Sequence, residues 1–347
     1  MYNIGDDVKG KYIIEESLEP GSFGLVYKVH NYGVNRKSVI KIVEAEDPKK
    51  LKEIIESYSQ SICQHECIVK IYACELTEIR LPDGSTRLGI LMELEWIPGG
   101  SWEKLLRSNY VPISHSCSLA IDALFGLHFA HQKGVIHGDI KPDNIFISDN
   151  HAKLADFGLS KYNIIPGISR ASDLHYAPHA SPELRKLGNI NVQTDVFAAG
   201  MTLFRAVNNI SDWRHRIDAI SDFDRLLSEG SLIKRIGYNR EVPRKIRAAI
   251  NRACNPEQTS RFENCAAFRQ ALTQIRFKNS WTRVTDFLYE SNFNGRTESV
   301  EVLPSRTTFD VVYKVNGRRK TTLCAKFNSQ KDAKDYLLTL LYENTVE

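Results

Sequence analysis

Asp139, Lys141, Asn144 and Asp156 concentrate more chemistry than any other stretch of the chain. His137-Gly138-Asp139-Ile140-Lys141-Pro142-Asp143-Asn144 sets acid, base and amide side by side, and Asp156-Phe157-Gly158 brings a second acid twelve residues beyond Asn144. Hard oxygen donors of this kind suit magnesium, which keeps several waters and takes few ligands from protein. Upstream, Gly21 and Gly24 sit between two strand-like runs, where a backbone without Cβ could close over phosphates. Taken alone, the two glycines describe a hairpin turn equally well. Lys41 stands in Val39-Ile40-Lys41-Ile42-Val43, on the opposite face from Ile40 and Ile42, and a lysine there wants an anion. The other reading of Lys41 is an edge-strand residue facing water.

These residues need a frame. Tyr12 to Ile14, Leu25 to Val29 and Ser38 to Val43 read as strands. Asp47-Pro48 opens a helix with Leu51, Ile54, Ile55, Tyr58 and Ile62 at three- and four-residue spacing. Strands follow near Val69 to Glu75 and Leu88 to Leu94, with Pro82-Asp83-Gly84 as the turn between them. Pro98-Gly99-Gly100-Ser101 breaks the pattern. Beyond it the chain turns helical, first over Ile121 to Phe129, with Gly134 as the cap, and later from about Thr194 to about Gln274. The expected fold class is α+β, with a β-rich lobe at 12–97 and a helical lobe at 98–276. The last stretch changes texture again. Trp281 to Asn292 reads as a helix, then Ser299 to Leu303, Thr308 to Val315 and Lys320 to Phe327 as strands, with Asn316-Gly317 as a hairpin turn. Ser329 to Tyr342 closes as a helix, so 281–347 is expected to be a separate α-β-β-β-α domain.

Composition narrows the class. A chain of 347 residues suggests two or three domains. With 42% hydrophobic and 25% charged residues it is globular rather than disordered. The 46 basic against 42 acidic residues give +4, too mild for bulk charge to imply a nucleic-acid binder. No basic segment followed by an apolar run opens the sequence, and the apolar stretch around Val196 to Phe204 is far short of a bilayer span. No membrane association is expected. Seven scattered cysteines, an odd count, point to free thiols in a reducing, cytoplasmic compartment. Cys63, His65 and Cys67 complete no zinc pattern.

In this order, the motifs resemble a eukaryotic-type serine/threonine protein kinase over residues 12 to 275. The resemblance implies ATP and Mg2+ as cofactors and a protein as phosphate acceptor. Leu18, Gly21, Gly24 and Val26 would cover the nucleotide, and backbone groups of Glu95 and Ile97 would meet the adenine edge. Lys41 would hold the α- and β-phosphates and pair with a helix acid, Glu56, or Glu53 one turn earlier. Asp139 would take the proton of the attacking hydroxyl, Lys141 would neutralise the transferring phosphoryl, and Asn144 and Asp156 would hold magnesium. The resemblance further gives Ser181-Pro182-Glu183 as the end of the activation segment, Asp195 as a helix opener and Arg261 as the partner of Glu183. Two positions depart from the family. Glu19 replaces the first glycine of the phosphate loop. Gly138 replaces the arginine that meets a phosphorylated activation segment, so activity is expected not to depend on a phosphate there, with Ser169 and Ser172 taken as the available hydroxyls. Two other readings stand beside this one. Small-molecule kinases of the aminoglycoside and choline type share His-Gly-Asp, and a pseudokinase would use the fold as a scaffold.

The tail resembles a double-stranded RNA-binding domain through Thr308 to Tyr313, the Asn316-Gly317 turn and Ser329 to Lys334. That resemblance makes Lys331 and Lys334 the candidate RNA contacts. The family's loop between its first two strands is absent, and Leu303-Pro304-Ser305-Arg306 stands in its place. The tail's partner is thus duplex RNA or a protein, and the remaining reading is a helix on a sheet with a solvated charged face.

Overall fold

Alternating burial along the early strands produces a curled antiparallel sheet in the computed structural model, which describes residues 2–18, 24–44, 47–62, 64–80, 85–157, 178–188 and 190–347. Its strands are β1 (Asp7–Val8), β2 (Tyr12–Ser17), β3 (Leu25–Asn31), β4 (Arg36–Glu44), β5 (Ile71–Arg80) and β6 (Thr86–Glu95), in the order β1-β2-β3-β4-β6-β5. Helix α1 (Pro48–Ile62) packs Leu51 and Ile55 against Val43, Ile90 and Met92. Tyr12, Ile14, Tyr27, Ile40, Ile42 and Leu91 form a second apolar cluster, so the period of two in β4 puts Lys41 with Val43, on the helix side. Lys9 Nζ donates to Leu76 O at 2.8 Å and lies 3.0 Å from Glu75 Oε2. The two outermost strands are thereby drawn together. Glu19, Gly21 and the Pro82-Asp83-Gly84 turn lie outside the described residues, as do Cys63, Gly158, Ser169 and Ser172.

The helical half holds α2 (Trp102–Ser108), α3 (Ile113–Gln132), α4 (Pro182–Leu187), α5 (Val192–Val207), α6 (Trp213–Asp218), α7 (Phe223–Ser228), α8 (Leu232–Ile236), α9 (Arg244–Ala253) and α10 (Cys265–Thr273). Between α3 and α4, strands β7 (Ile145–Ser148) and β8 (His151–Leu154) form a hairpin. Every residue of α5 from Thr194 to Val207 is buried. Buried on every side, α5 runs through the core with Asp195 and Arg205 as its charged side chains. A capping box starts it: the Asn191 side chain accepts from Thr194 N–H, and the Thr194 hydroxyl receives the Asn191 N–H. Among the described residues, no helix is long and apolar enough to cross a membrane.

The tail differs from expectation. The helix predicted over Trp281 to Asn292 is instead two strands, β9 (Thr282–Thr285) and β10 (Leu288–Phe293). Trp281, Val284 and Leu288 fall at helical spacing, which misleads, but burial there has a period of two: Tyr289 and Ser291 are buried while Glu290 and Asn292 are exposed. Asn294 and Gly295, with φ of 51° and 75°, then turn the chain back as a hairpin. The sheet continues through β11 (Arg296–Pro304), β12 (Phe309–Val315) and β13 (Arg318–Arg319), in the order β13-β12-β11-β10-β9. The strand predicted over Lys320 to Phe327 is a 3-10 turn at Thr321–Leu323 followed by the short β14 (Ala325–Phe327), also paired with β12. Helix α11 (Gln330–Thr345) covers one face through Ala333, Leu337, Leu340 and Leu341. The order α-β-β-β-α is therefore not formed, since its first helix does not exist.

Candidate active site

The loop that carries His137, Gly138 and Asp139 is fixed by a buried acid on α5. Asp195, 1% exposed, accepts from His137 N–H at 2.9 Å and Gly138 N–H at 2.8 Å, and lies 2.8 Å from His131 Nε2. Gly138 has φ +77°, a conformation that favours glycine. Burial holds the His137 imidazole below its ordinary pKa, and so neutral near pH 7. Its Nε2–H then donates to Ala155 O at 2.9 Å, and Nδ1 is left to accept the Asp139 N–H at 3.3 Å. A single imidazole links the loop to the residue before Asp156.

Asp139 has two neighbours in register. Its Oδ2 accepts from Lys141 Nζ at 2.8 Å and from Asn144 Nδ2 at 3.0 Å, while Asn144 Nδ2 also donates to the Asp139 carbonyl at 2.8 Å. With both amide hydrogens directed at Asp139, the Asn144 amide is oriented so that Oδ1 is its ligand atom. The Asp139 side chain is 21% exposed, hence within reach of another molecule. Burial lowers the Lys141 pKa, but Asp139, with Asp143 and Asp156 behind it, reverses the shift and holds the ammonium above its ordinary value.

Asp156 arrives from the other side. Ala155 N–H donates to Asn144 O at 2.9 Å, which sets the two candidate metal ligands next to each other. Asp156 has φ +61°, an uncommon conformation for a residue with a Cβ. Both its oxygens lie 2.9 Å from Lys41 Nζ, although 115 residues separate the two in sequence. Burial pushes the Asp156 carboxyl up, yet Lys41 outweighs it and the carboxyl titrates below its ordinary value. Lys41 itself is 3% exposed, so the lysine of β4 is an interior cation paired with an anion, not an edge residue in water.

The remaining sequence-derived positions are divided among the sheet half, the helical half and the tail. Val26 pairs with Lys41 across β3 and β4, and Leu18 N–H donates to Val26 O at 3.0 Å. A Cβ on Gly24 would sit 2.1 Å from Ile42 O, so only glycine permits that approach. Glu56 on α1 makes an ion pair with Lys52 at 2.6 Å. Glu95 ends β6, and Ile97 packs with Val69 and Ala155 where the two halves meet. Glu183 and Arg261 form a bidentate pair at 2.7 and 2.9 Å. In the tail, Lys331 is exposed at the start of α11, whereas Lys334 Nζ lies 3.6 Å from Asp286 and over the Phe287 ring. One of the two expected RNA contacts is thus engaged within its own domain.

A family model described as "Protein kinase domain" matches residues 12–274, three-quarters of the chain. The chain belongs to the protein kinase family. Among curated relatives of this kinase-family chain, a probable serine/threonine-protein kinase of Clostridium acetobutylicum is 22% identical over 309 residues, 85% of this chain and 46% of the relative. Serine/threonine-protein kinase PknB of Mycolicibacterium smegmatis is 28% identical over 204 residues, 56% of this chain and 32% of that protein. The chain thus spans less than half the length of either. The crystal structure of the Mycobacterium tuberculosis PknI kinase domain superimposes with a TM-score of 0.52 at 17% identity, covering 79% of this chain and 98% of the other. That likeness concerns the fold alone.

Sequence reasoning missed the side chain of Glu95, which pairs with Lys153 on β8. It also passed over His137 as the link between loop and strand. The motif names the histidine, but no spacing in the sequence signals the Glu95–Lys153 pair.

Proposed function

We propose that this chain is an ATP-dependent serine/threonine protein kinase that does not require a phosphate on its activation segment. The observation that carries the reading is the convergence of Lys41, Asp139, Lys141, Asn144 and Asp156 where the sheet half meets the helical half. The donor set fits magnesium: Asp156 carboxylate and Asn144 Oδ1 are hard oxygens held side by side by the Ala155–Asn144 bond. When bound, the metal would neutralise charge on the nucleotide phosphates.

The residues then divide the work. Lys41, already stationed opposite an anion, holds the α- and β-phosphates, and Glu56 is the helix acid proposed to steady it. Backbone groups of Glu95 and Ile97 meet the adenine, with Leu18, Gly21, Gly24 and Val26 above it. A substrate hydroxyl approaches Asp139. Its oxygen forms a bond to the γ-phosphorus, the bond from that phosphorus to the ADP oxygen breaks, and the hydroxyl proton passes to the Asp139 carboxylate. Lys141, bonded to the same carboxylate, offers its ammonium to the transferring phosphoryl. The independence from phosphorylation follows from Gly138, which has no side chain to pair with a phosphate. The tail, residues 281–347, is proposed as an accessory domain that docks a protein. It is seated on the helical half, as an accessory domain would be: Tyr110 stacks edge-on against Tyr289 at 5.9 Å, and Arg240 meets Asp335 at 3.0 Å.

The test compares wild type with Asp139→Asn for phosphate transfer from magnesium ATP to a generic acceptor protein. Loss of about 10²–10⁴-fold in kcat with unchanged nucleotide affinity is expected. A wild type that binds nucleotide and transfers nothing would leave the scaffold reading in its place.

A further inference from the structure

Glu95 and Lys153 form an ion pair to which none of the roles above assigns a purpose. Lys153 lies on β8, three residues before Asp156, and its Nζ donates to Glu95 Oε1 at 2.7 Å. Their side chains are only 17% and 20% exposed, so the pair is screened less than one on an open surface. The second carboxylate oxygen, Oε2, accepts Lys70 N–H at 3.2 Å, and Glu95 N–H donates to Lys70 O at 2.9 Å. One carboxylate therefore ties together the end of β6, the connection into β5 and the β7–β8 hairpin.

The surrounding backbone makes the tie directional. Leu154 N–H donates to Cys67 O at 2.8 Å and Val69 N–H to Leu154 O at 2.8 Å, laying residues 67–70 alongside β8. Glu95 stands at one end of this ladder, where adenine is proposed to bind. The Ile68–Leu154 bridge is parallel, so Asp156 leaves β8 in the same direction as Lys70 and runs on to where the phosphates are proposed to lie. A nucleotide reaching from Glu95 and Ile97 to Asp156 has a fixed length, and the cleft must offer the same span.

We propose that Glu95 and Lys153 are a positioning pair that sets the separation between the adenine-binding segment and Asp156, and so sets the affinity for ATP. The proposal rests on the kinase reading above. Asp139, Lys141 and Asn144 keep their own mutual hydrogen bonds when the pair is broken, so the chemical step is left alone. The loss falls on preorganisation, which appears in binding.

Lys153→Met keeps the aliphatic stem and removes the charge. The KM for ATP is expected to rise about three- to tenfold with kcat within about twofold, and Lys153→Arg is expected to restore KM. A KM unchanged in Lys153→Met, or a kcat that falls as far as kcat/KM, overturns the proposal. Titration with magnesium ADP and hydrogen exchange at the Lys70 amide give readouts free of turnover. Weaker ADP binding with faster Lys70 exchange supports the pair, and no change in either overturns it. Because these need no catalysis, a wild type without transferase activity would refute the kinase reading while the pair is still judged.

Discussion

Replacing Arg261 with alanine should be among the most damaging single changes in the helical half, for a reason that can be worked from its contacts. Its guanidinium is fully buried and its five N–H groups meet five acceptors: Asn255 O at 2.7 Å, Gln193 O at 2.9 Å, Pro256 O at 3.2 Å, and Glu183 Oε1 and Oε2 at 2.7 and 2.9 Å. Arg261→Ala leaves Glu183, 8% exposed, as a buried carboxylate without its cation. Breaking one side of such a pair costs about 3–5 kcal/mol. Set against a total stability of about 5–15 kcal/mol, that is a large share. For a protein of this size class it corresponds to a fall in Tm of roughly 6–20 °C. The measurement is a thermal melt of wild type, Arg261→Ala, Glu183→Gln and the double variant. In the double variant no charge is stranded, so Arg261→Ala should cost much less on the Glu183→Gln background.

The pH dependence supplies an independent check. Burial alone would raise the Glu183 pKa, but Arg261 outweighs it and holds the carboxyl below its ordinary 4.5. The folded value is depressed, so this stabilisation is fully present above the ordinary carboxyl range and is lost as pH falls through the folded value. In Arg261→Ala burial wins and the sign reverses, so the variant recovers stability on acidification. The gap in Tm between wild type and Arg261→Ala should narrow from pH 7 to pH 4. A variant melting within about 2 °C of wild type at pH 7, or a gap that does not narrow, refutes the argument.

Glu241 carries the opposite sign: burial raises its pKa, with Arg283, Arg247 and Lys334 only partly opposing. Its contribution is present while the carboxyl is protonated and is lost as pH rises through the raised value, so Glu241→Gln should raise Tm at pH 8 more than at pH 5. An equal effect at both pH values would count against this. Replacing Ser169 and Ser172 together by alanine should leave phosphate transfer intact, because Gly138 presents nothing for a phosphate to pair with. Abolished turnover in a variant that melts like wild type would show the reverse.

What could be read in the sequence was what lies close together along the chain or falls on a motif position. Asp139, Lys141 and Asn144 fall within six residues, and their mutual hydrogen bonds are local consequences of a short loop. Lys41 in an apolar strand asked for an anion and faces Asp156. Long-separation contacts away from these motif positions, unlike Lys41–Asp156 and Glu183–Arg261, carried no such signal. Lys153 and Glu95 stand 58 residues apart, and Lys9 and Glu75 stand 66 apart, and each of these residues reads alone as an ordinary surface charge. The tail failed for another reason. Trp281, Val284 and Leu288 satisfy a helical period by coincidence, while β9, which holds Val284, pairs with β10, and β10, which holds Leu288, pairs in turn with β11 beyond the Asn294-Gly295 turn. Lys334 looked available because its captor, Asp286, belongs to that misread stretch.

The first turn of α5 explains why the site and its flanking segment form one mechanical unit. Gln193 O receives Arg261, which holds Glu183 and with it the start of α4. Two residues on, Asp195 receives the His137 and Gly138 amides and so holds the loop that carries Asp139. One buried helix end thus sets the position of the loop that carries Asp139 and of α4. The all-round burial of α5 is what makes such an anchor stiff, since its side chains are close-packed on every side. A disturbance at Arg261 should therefore reach Asp139 through less than one helical turn.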